Sequence, residues 1–438
     1  MKKRLLFALA LGVATFANVV SASAEGYQVN TLSAKQLGMA HTGVSQKLNS
    51  ESLWFNPAGA AHQEEFFTVS AGTTLIAATA DWTNGTDSHK TDNPLSTPIY
   101  ANVNFKIGKN LALGVLFNTP YGSSLNWGSD WAGAHMVQSI SLQAYNAQPT
   151  ISYKMFNDRL SVGAGLMMSW GNFELNKSLI SNEQLGAGVA MFGSNPVHGT
   201  LGGDAKLALG YNVGLMFDVC DAVTIGASYR SKMMMKVDEG TTAISYSNDA
   251  AEAYFGASLN PMTTTTFSAE MPLPAVWSLG VTVRPVESLE LSAEAQLTEW
   301  SAYKSLNLTM NNEALRPYYD QNMEKSYSNA VAARLGAQYD LGKFMVVRAG
   351  VYYDQSPVAD NFLNPETPSM DKMGYTAGLS IRPFSKMSID LSYGFLHGIG
   401  GARSGSCDYK MTTGEVSSFS GDYSTKAHMA SVGLSFGF

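Results

Sequence analysis

Charge is scarce in this chain. Asp, Glu, Lys and Arg make up 14% of 438 residues, against about 25% in soluble globular domains. Cysteine is nearly absent, with two residues, Cys220 and Cys407. The first sits in a tight Asp-Val-Cys-Asp turn and the second in a Gly/Ser-rich stretch. The strand order derived below puts them at opposite ends of the molecule, too far apart for a disulfide. Long apolar runs are missing beyond the extreme N-terminus: no later segment reaches the roughly 18 consecutive apolar residues of a spanning helix. There is no metal-ligand cluster, no phosphate-cradling glycine loop and no basic patch, so no cofactor is expected. The net charge of −7 argues against nucleic acid as a partner.

What is present begins with an export signal. Lys2, Lys3 and Arg4 form a positive start, Leu5 to Val20 is apolar, and Ala22-Ser23-Ala24 is an A-x-A cleavage site. Residues 1–24 therefore read as a signal peptide, with the mature chain starting at Glu25. An exported chain that is poor in charge, rich in Gly, Tyr and Phe, and devoid of spanning helices has one other way to cross lipid. A closed β-barrel satisfies every backbone N–H and C=O within itself.

The strands support this. Ala430, Val432, Leu434, Phe436 and Phe438 alternate with Ser431, Gly433, Ser435 and Gly437, a period of two with one apolar face. A terminal Phe on such a strand resembles the assembly signal of bacterial outer-membrane barrels. The same alternation recurs at 387–395, 289–298, 223–230 and 160–170. In a soluble sandwich the apolar face would be the core; in a membrane barrel it faces lipid, and Arg230, Glu290, Glu294 and Arg348 on the other face line the lumen. Short turns fall near 108–110, 156–158, 220–221, 286–288, 342–343 and 384–386. Long polar stretches at 80–97, 119–138, 172–204, 232–272, 300–327, 354–371 and 397–424 lie between them. Six turns and seven loops make thirteen connections, hence an all-β, 14-stranded antiparallel outer-membrane barrel spanning 66–438. Short turns face the periplasm and long loops the outside.

Residues 25–65 do not alternate. Asn56 is a good helix N-cap with Pro57 at the first helical position. Forty residues of short helices are too few for an independent domain and need a surface to pack on, so they predict a helical hatch plugging the lumen, the alternative being a periplasmic tail. Two long loops carry apolar helical stripes. Ser181 and Gln184 have capping-box spacing ahead of Leu185, Val189 and Phe192. Ala251, Tyr254, Phe255 and Leu259 recur at i, i+3, i+4 and i+8. The two stripes either pack on each other or leave a groove for a greasy ligand.

In order along the chain stand Gly26-Tyr27-Gln28-Val29-Asn30, Leu37-Gly38-Met39-Ala40, Asn56-Pro57-Ala58, Asn118-Thr119-Pro120-Tyr121-Gly122, Ser228-Tyr229-Arg230-Ser231, Leu273-Pro274 with Trp277, Glu299-Trp300-Ser301, Asp354-Gln355-Ser356-Pro357 and Tyr393-Gly394-Phe395-Leu396-His397-Gly398. In this series the sequence resembles the FadL-type long-chain fatty-acid transporters, a family that includes aromatic-hydrocarbon channels. The resemblance covers nearly the whole mature chain. It implies a fourteen-stranded barrel with an N-terminal hatch. It also implies capture of a hydrophobic ligand between outer loops, internal binding, a hatch change, and lateral exit through the wall at a kink in the third strand. The implied partners are a long-chain fatty acid or another hydrophobic small molecule, and outer-membrane lipid and lipopolysaccharide around a monomer. By the same resemblance Asn56, Pro57 and Ala58 carry the hatch motif and Gly122 the kink. Leu185, Val189, Phe192, Tyr254, Phe255 and Leu259 line the loop groove. Lys177 and Lys325 fall where the family places basic groups for a ligand carboxylate. Lys in place of Arg keeps the charge but loses the bidentate fork, which makes a neutral ligand more plausible.

Rival functions have less support. An enzyme would need a nucleophile motif around His397 or His428, and none is present. A general porin is disfavoured by the hatch and the apolar loop stripes; an adhesin or purely structural barrel is a third alternative.

Overall fold

The computed structural model describes residues 26–410 and 415–438; the expected signal peptide lies outside them. The wall consists of β1 (Phe67–Thr83), β2 (Ile99–Ile107), β3 (Leu111–Asn126), β4 (Ser139–Met155), β5 (Leu160–Ser178) and β6 (Val197–Cys220). Four interrupted strands follow. β7 runs Val223–Arg230 and Met233–Tyr246, and β8 runs Phe267–Leu273 and Val276–Val286. β9 runs Leu289–Thr298 and Ser305–Met310, and β10 runs Gln321–Glu324 and Ala330–Leu341. The set ends with β11 (Met345–Asp354), β12 (Lys372–Phe384), β13 (Met387–Gly398) and β14 (Val416–Gly437). Each pairs antiparallel with its neighbours, and β14 returns to β1 from Thr68↔Gly437 to Thr83↔Asp422, closing a 14-stranded barrel. Closure leaves no open edge for lipid to meet.

The direction of the apolar face separates this barrel from a soluble sandwich. Leu279 is 64% exposed and Leu335 57%, although they alternate with buried Ser278 and with Gly336, which lies against the hatch. Apolar residues outward and small or polar residues inward is the pattern of a wall in lipid. Arg230, Glu294 and Arg348 are buried on the inner face.

The lumen is filled. Residues 26–65 fold inside it as a hatch of short helices, Ala34–Leu37, Asn49–Glu51, Ser52–Phe55 and Pro57–His62, with Leu32, Leu37 and Leu53 fully buried. Such short helices leave most of their N–H and C=O groups unpaired. The polar inner wall supplies the partners. Glu294 Oε2 accepts the Gly43 and Val44 N–H groups at 2.8 and 3.1 Å, and Thr376 Oγ1 accepts from Ala40 at 3.1 Å. Ser152, Gln148 and Ser228 donate to the Pro57, Leu53 and Phe55 carbonyls at 2.5, 2.8 and 3.0 Å. Wall glycines admit the hatch backbone: a Cβ on Gly214 would overlap Asn56 Oδ1, and one on Gly226 would overlap the Val44 carbonyl.

The six short turns fall where the sequence places them, but several long stretches expected as loops carry further ladder. β5 and β6 run on into both ends of 172–204, pairing as far as Ser178↔His198. The stretch 232–272 contributes a pair of strands. Arg403–Lys410, expected as loop, is a strand paired with the start of β14. These projections do not face lipid on one side, so nothing forces the apolar-polar alternation that reveals a wall strand in sequence. Cys220 is exposed, Cys407 buried, and both are free.

Candidate ligand path

The third strand is broken where it meets the hatch. The β3–β4 register slips between Asn118 and Tyr121, and Asn118 to Gly122 are all buried, so the strand abandons its in-out alternation and leans into the lumen. One extra residue on β3 is the signature of a bulge. The hatch completes the bonding there: Val29 N donates to the Pro120 carbonyl and Gly122 N to the Tyr27 carbonyl, both at 2.8 Å, and Gln28 bridges Tyr121. Gly122 thus lies just beyond the register break, tied to the hatch.

On its other side β3 loses its neighbour. The β2–β3 ladder ends at Tyr100↔Asn118. Among the described residues, Tyr121 and Gly122 meet the hatch on the β2 side, and Ser123–Leu125 have no ladder partner there. The preceding chain turns to β1 instead, with Ser96 and Ile76 exchanging both N–H···O bonds. Ile99 N to Thr119 Oγ1 closes the opening below, at 3.1 Å, and Asp92 N to the Asn126 carbonyl closes it above, at 2.9 Å. Behind this gap lies a cavity of about 60 Å³, touched by Gly26 of the hatch, Ala80, Asn93, Ser124, Glu366 and Lys372.

The two lysines singled out in the sequence converge on this region. Lys325 is buried and paired with the Glu366 carboxylate. Lys177, at the outer end of β5, feels both Glu366 and Lys325. Glu366 was not among the residues expected here. It comes from the 355–371 stretch, which folds inward so that Leu363, Asn364, Glu366 and Met370 are buried.

The loop stripes are packed together. Ser181 forms a full capping box with Gln184 at the start of Asn182–Leu185. Phe192, at the end of the helix Val189–Phe192, sits 5.2 Å from the rings of both Tyr254 and Phe255 on the helix Asp249–Leu259. Leu259 and Phe192 are buried, Leu185, Val189 and Phe255 half-buried, and Tyr254 exposed. Phe192 with Tyr254 and Phe255, and Leu185 with Phe255 and Leu259, join the two outer loops, with Met191 and Tyr254 left in solvent at 70% exposure each.

At the hatch motif, Asn56 caps the 3₁₀ helix Pro57–His62 through Ala58 N to Oδ1 at 3.1 Å, with Pro57 at its start. Its Nδ2 donates to the Val44 carbonyl at 2.6 Å and to the Leu215 carbonyl of β6 at 3.0 Å. One side chain thus joins two hatch segments to the wall.

Known proteins share this architecture. The family model described as outer membrane protein transport protein (OMPP1/FadL/TodX) matches residues 14–438. The chain belongs to this OMPP1/FadL/TodX family of outer-membrane transport proteins. It is 23% identical over 418 residues to a long-chain fatty acid transport protein of Escherichia coli O6:H1, covering 91% of this chain and 92% of that protein. It is 25% identical over 396 residues to a 47 kDa outer membrane protein of Pasteurella multocida, covering 86% and 88%. Among solved structures, a Pseudomonas aeruginosa FadL homologue superposes with a TM-score of 0.80 at 18% identity, covering 94% of this chain and 100% of that one. The Pseudomonas putida toluene transporter TodX superposes at 0.68 with 16% identity, covering 94% and 100%. The fatty acid transport protein and TodX are transporters by name, and the OMPP1/FadL/TodX family to which this chain belongs is one of transport proteins, not enzymes. His428, in the middle of β14, points outward and bonds Tyr393 at 2.7 Å.

This family member also has a roof that sequence reasoning missed. Trp127 and Trp131 stack at 4.7 Å, Trp82 stacks on Phe419 at 5.2 Å, and His135 lies edge-on to Phe419 at 5.6 Å. Burial, and less strongly the Lys177 ammonium, push the His135 imidazole down to about 4. Two tryptophans four residues apart in an otherwise polar stretch were the available signal. Their partners lie at the far end of the chain, which local pattern does not reveal.

Proposed function

We propose that this protein takes up small hydrophobic compounds, long-chain fatty acids or aromatic hydrocarbons among them, and releases them sideways into the outer membrane through the gap beside β3. The observation that carries this reading is the coincidence of three features: the bulge between Asn118 and Tyr121, the missing ladder on the β2 side of Ser123–Leu125, and a cavity that touches both this strand and the hatch. The names of its relatives, a fatty acid transport protein and a toluene transporter, agree with a hydrophobic cargo. The apolar contact between the outer loops at Leu185, Val189, Phe192, Tyr254, Phe255 and Leu259 is where cargo is first captured. Asn56, Pro57 and Ala58 hold the hatch in its docked state.

The cavity of about 60 Å³ is well below the roughly 300 Å³ of small-ligand pockets. Cargo is therefore admitted only when the hatch or the inward loop moves. That requirement is what distinguishes this path from an open aqueous pore.

Deleting Pro120 tests the route. It removes the extra residue and realigns β3 with β4 across the break, which straightens the strand and closes the gap. In cells that depend on this protein for uptake, the deletion lowers uptake of oleate and toluene severalfold, while the barrel still migrates as a folded band on unheated SDS gels. Unchanged uptake by the folded deletion variant refutes lateral exit here. Free passage of sugars in liposome swelling refutes the transporter reading in favour of a porin.

A further inference from the structure

The loop between β11 and β12 is built to hold one carboxylate inside the barrel. Asn364 Oδ1 accepts the N–H groups of Glu366 and Thr367 at 3.0 and 3.1 Å, forming a tight turn. Trp127 Nε1 donates to the Pro365 carbonyl at 2.9 Å. Arg403 clamps the base of the loop, donating to the Ser369 and Val358 carbonyls at 2.9 and 2.6 Å and to Asp360 at 2.9 Å. The turn so fixed presents Glu366 to Lys325, with side chains 10% and 4% exposed.

The position of this pair is what matters. Glu366 lines the cavity that touches the hatch and the β3 gap. Lys177 lies within electrostatic reach of Glu366, and Lys372 lines the same cavity. Tyr303, Tyr327 and Cys407, all buried, lie within electrostatic reach of the Lys325–Glu366 pair. Lys325, one of the basic groups that would receive a ligand carboxylate, therefore already holds one, supplied by the chain itself.

We propose that Glu366 is a resident carboxylate which fills the anion subsite at Lys325 and so selects uncharged hydrophobic cargo over fatty-acid anions. This rests on the transport reading above. A carboxylate ligand must displace Glu366 and leave it buried and unpaired, and removing one partner of a buried pair is strongly unfavourable. An uncharged ligand of the same length leaves the pair intact. Glu366 is thus a specificity-determining residue of the path.

The test compares oleate with oleyl alcohol, binding each to the purified full mature barrel in detergent at pH 8. Wild type prefers the alcohol. Glu366→Gln and Glu366→Ala each shift the ratio of the two dissociation constants toward oleate by ~tenfold or more, equivalent to about 1.4 kcal/mol per tenfold. Glu366→Asp, which keeps the charge, retains the wild-type preference. Were the pair only a latch for the loop, the Gln and Ala variants would change both affinities alike. An unchanged ratio in both overturns the proposal while leaving hydrophobic transport standing. Failure of wild type to bind either probe overturns both readings.

Discussion

Asn56→Ala isolates the docking of the hatch from the integrity of the wall. The side chain makes three hydrogen bonds in the lumen: it accepts from Ala58 N and donates to the carbonyls of Val44 and Leu215. Loss of an N-cap costs about 1 kcal/mol. Each lost bond to a buried carbonyl costs about 1 kcal/mol more. Together these weaken docking by about 3 kcal/mol, which raises the undocked population of the hatch ~100-fold, at tenfold for each 1.4 kcal/mol. The wall ladder does not involve this side chain, so the barrel is unaffected. Hydrogen exchange followed by mass spectrometry reads the two separately. Peptides covering 44–62 exchange ~100-fold faster in the variant, and peptides of β11–β13 exchange as in wild type. If protection of 44–62 does not change, Asn56 does not hold the hatch. If protection falls equally in β11–β13, hatch and wall are a single cooperative unit and the reasoning is wrong.

Two further outcomes follow from the same geometry. Gly214→Ala drives a Cβ into Asn56 Oδ1 and loosens the hatch by itself; combined with Asn56→Ala the loss in protection is smaller than the sum of the two, as expected for residues in contact. His135 is held neutral by burial, at about 4, below its unfolded value of ~6.5. Its contribution to stability is therefore complete above ~6.5 and is lost as the pH falls toward 4. Tryptophan fluorescence of the roof changes between pH 7 and pH 4 in wild type and stays flat in His135→Phe; an equal change in that variant assigns the transition to another group.

Much of the fold was legible because barrel walls obey a local rule. Residue by residue, lipid on one face and lumen on the other impose a period of two, seen in Leu279 against Ser278 and in Val432 against Ser431. The six tight turns mark the ends of these runs. The cap at Asn56 with Pro57 is likewise a short-range device. What escaped depends on distant parts of the chain. The 403–410 strand has no lipid face to impose alternation, and it pairs with residues on the far side of its own turn. The β3 break was legible as Asn118-Thr119-Pro120-Tyr121-Gly122, but its backbone partners are Tyr27 and Val29 of the hatch. The sequence by itself determined a fourteen-stranded, plugged barrel, and its family resemblance pointed to Lys177 and Lys325 as candidate basic groups. Only the tertiary structure decided that Glu366 is paired with Lys325, because a loop folds inward where no period or motif directs it.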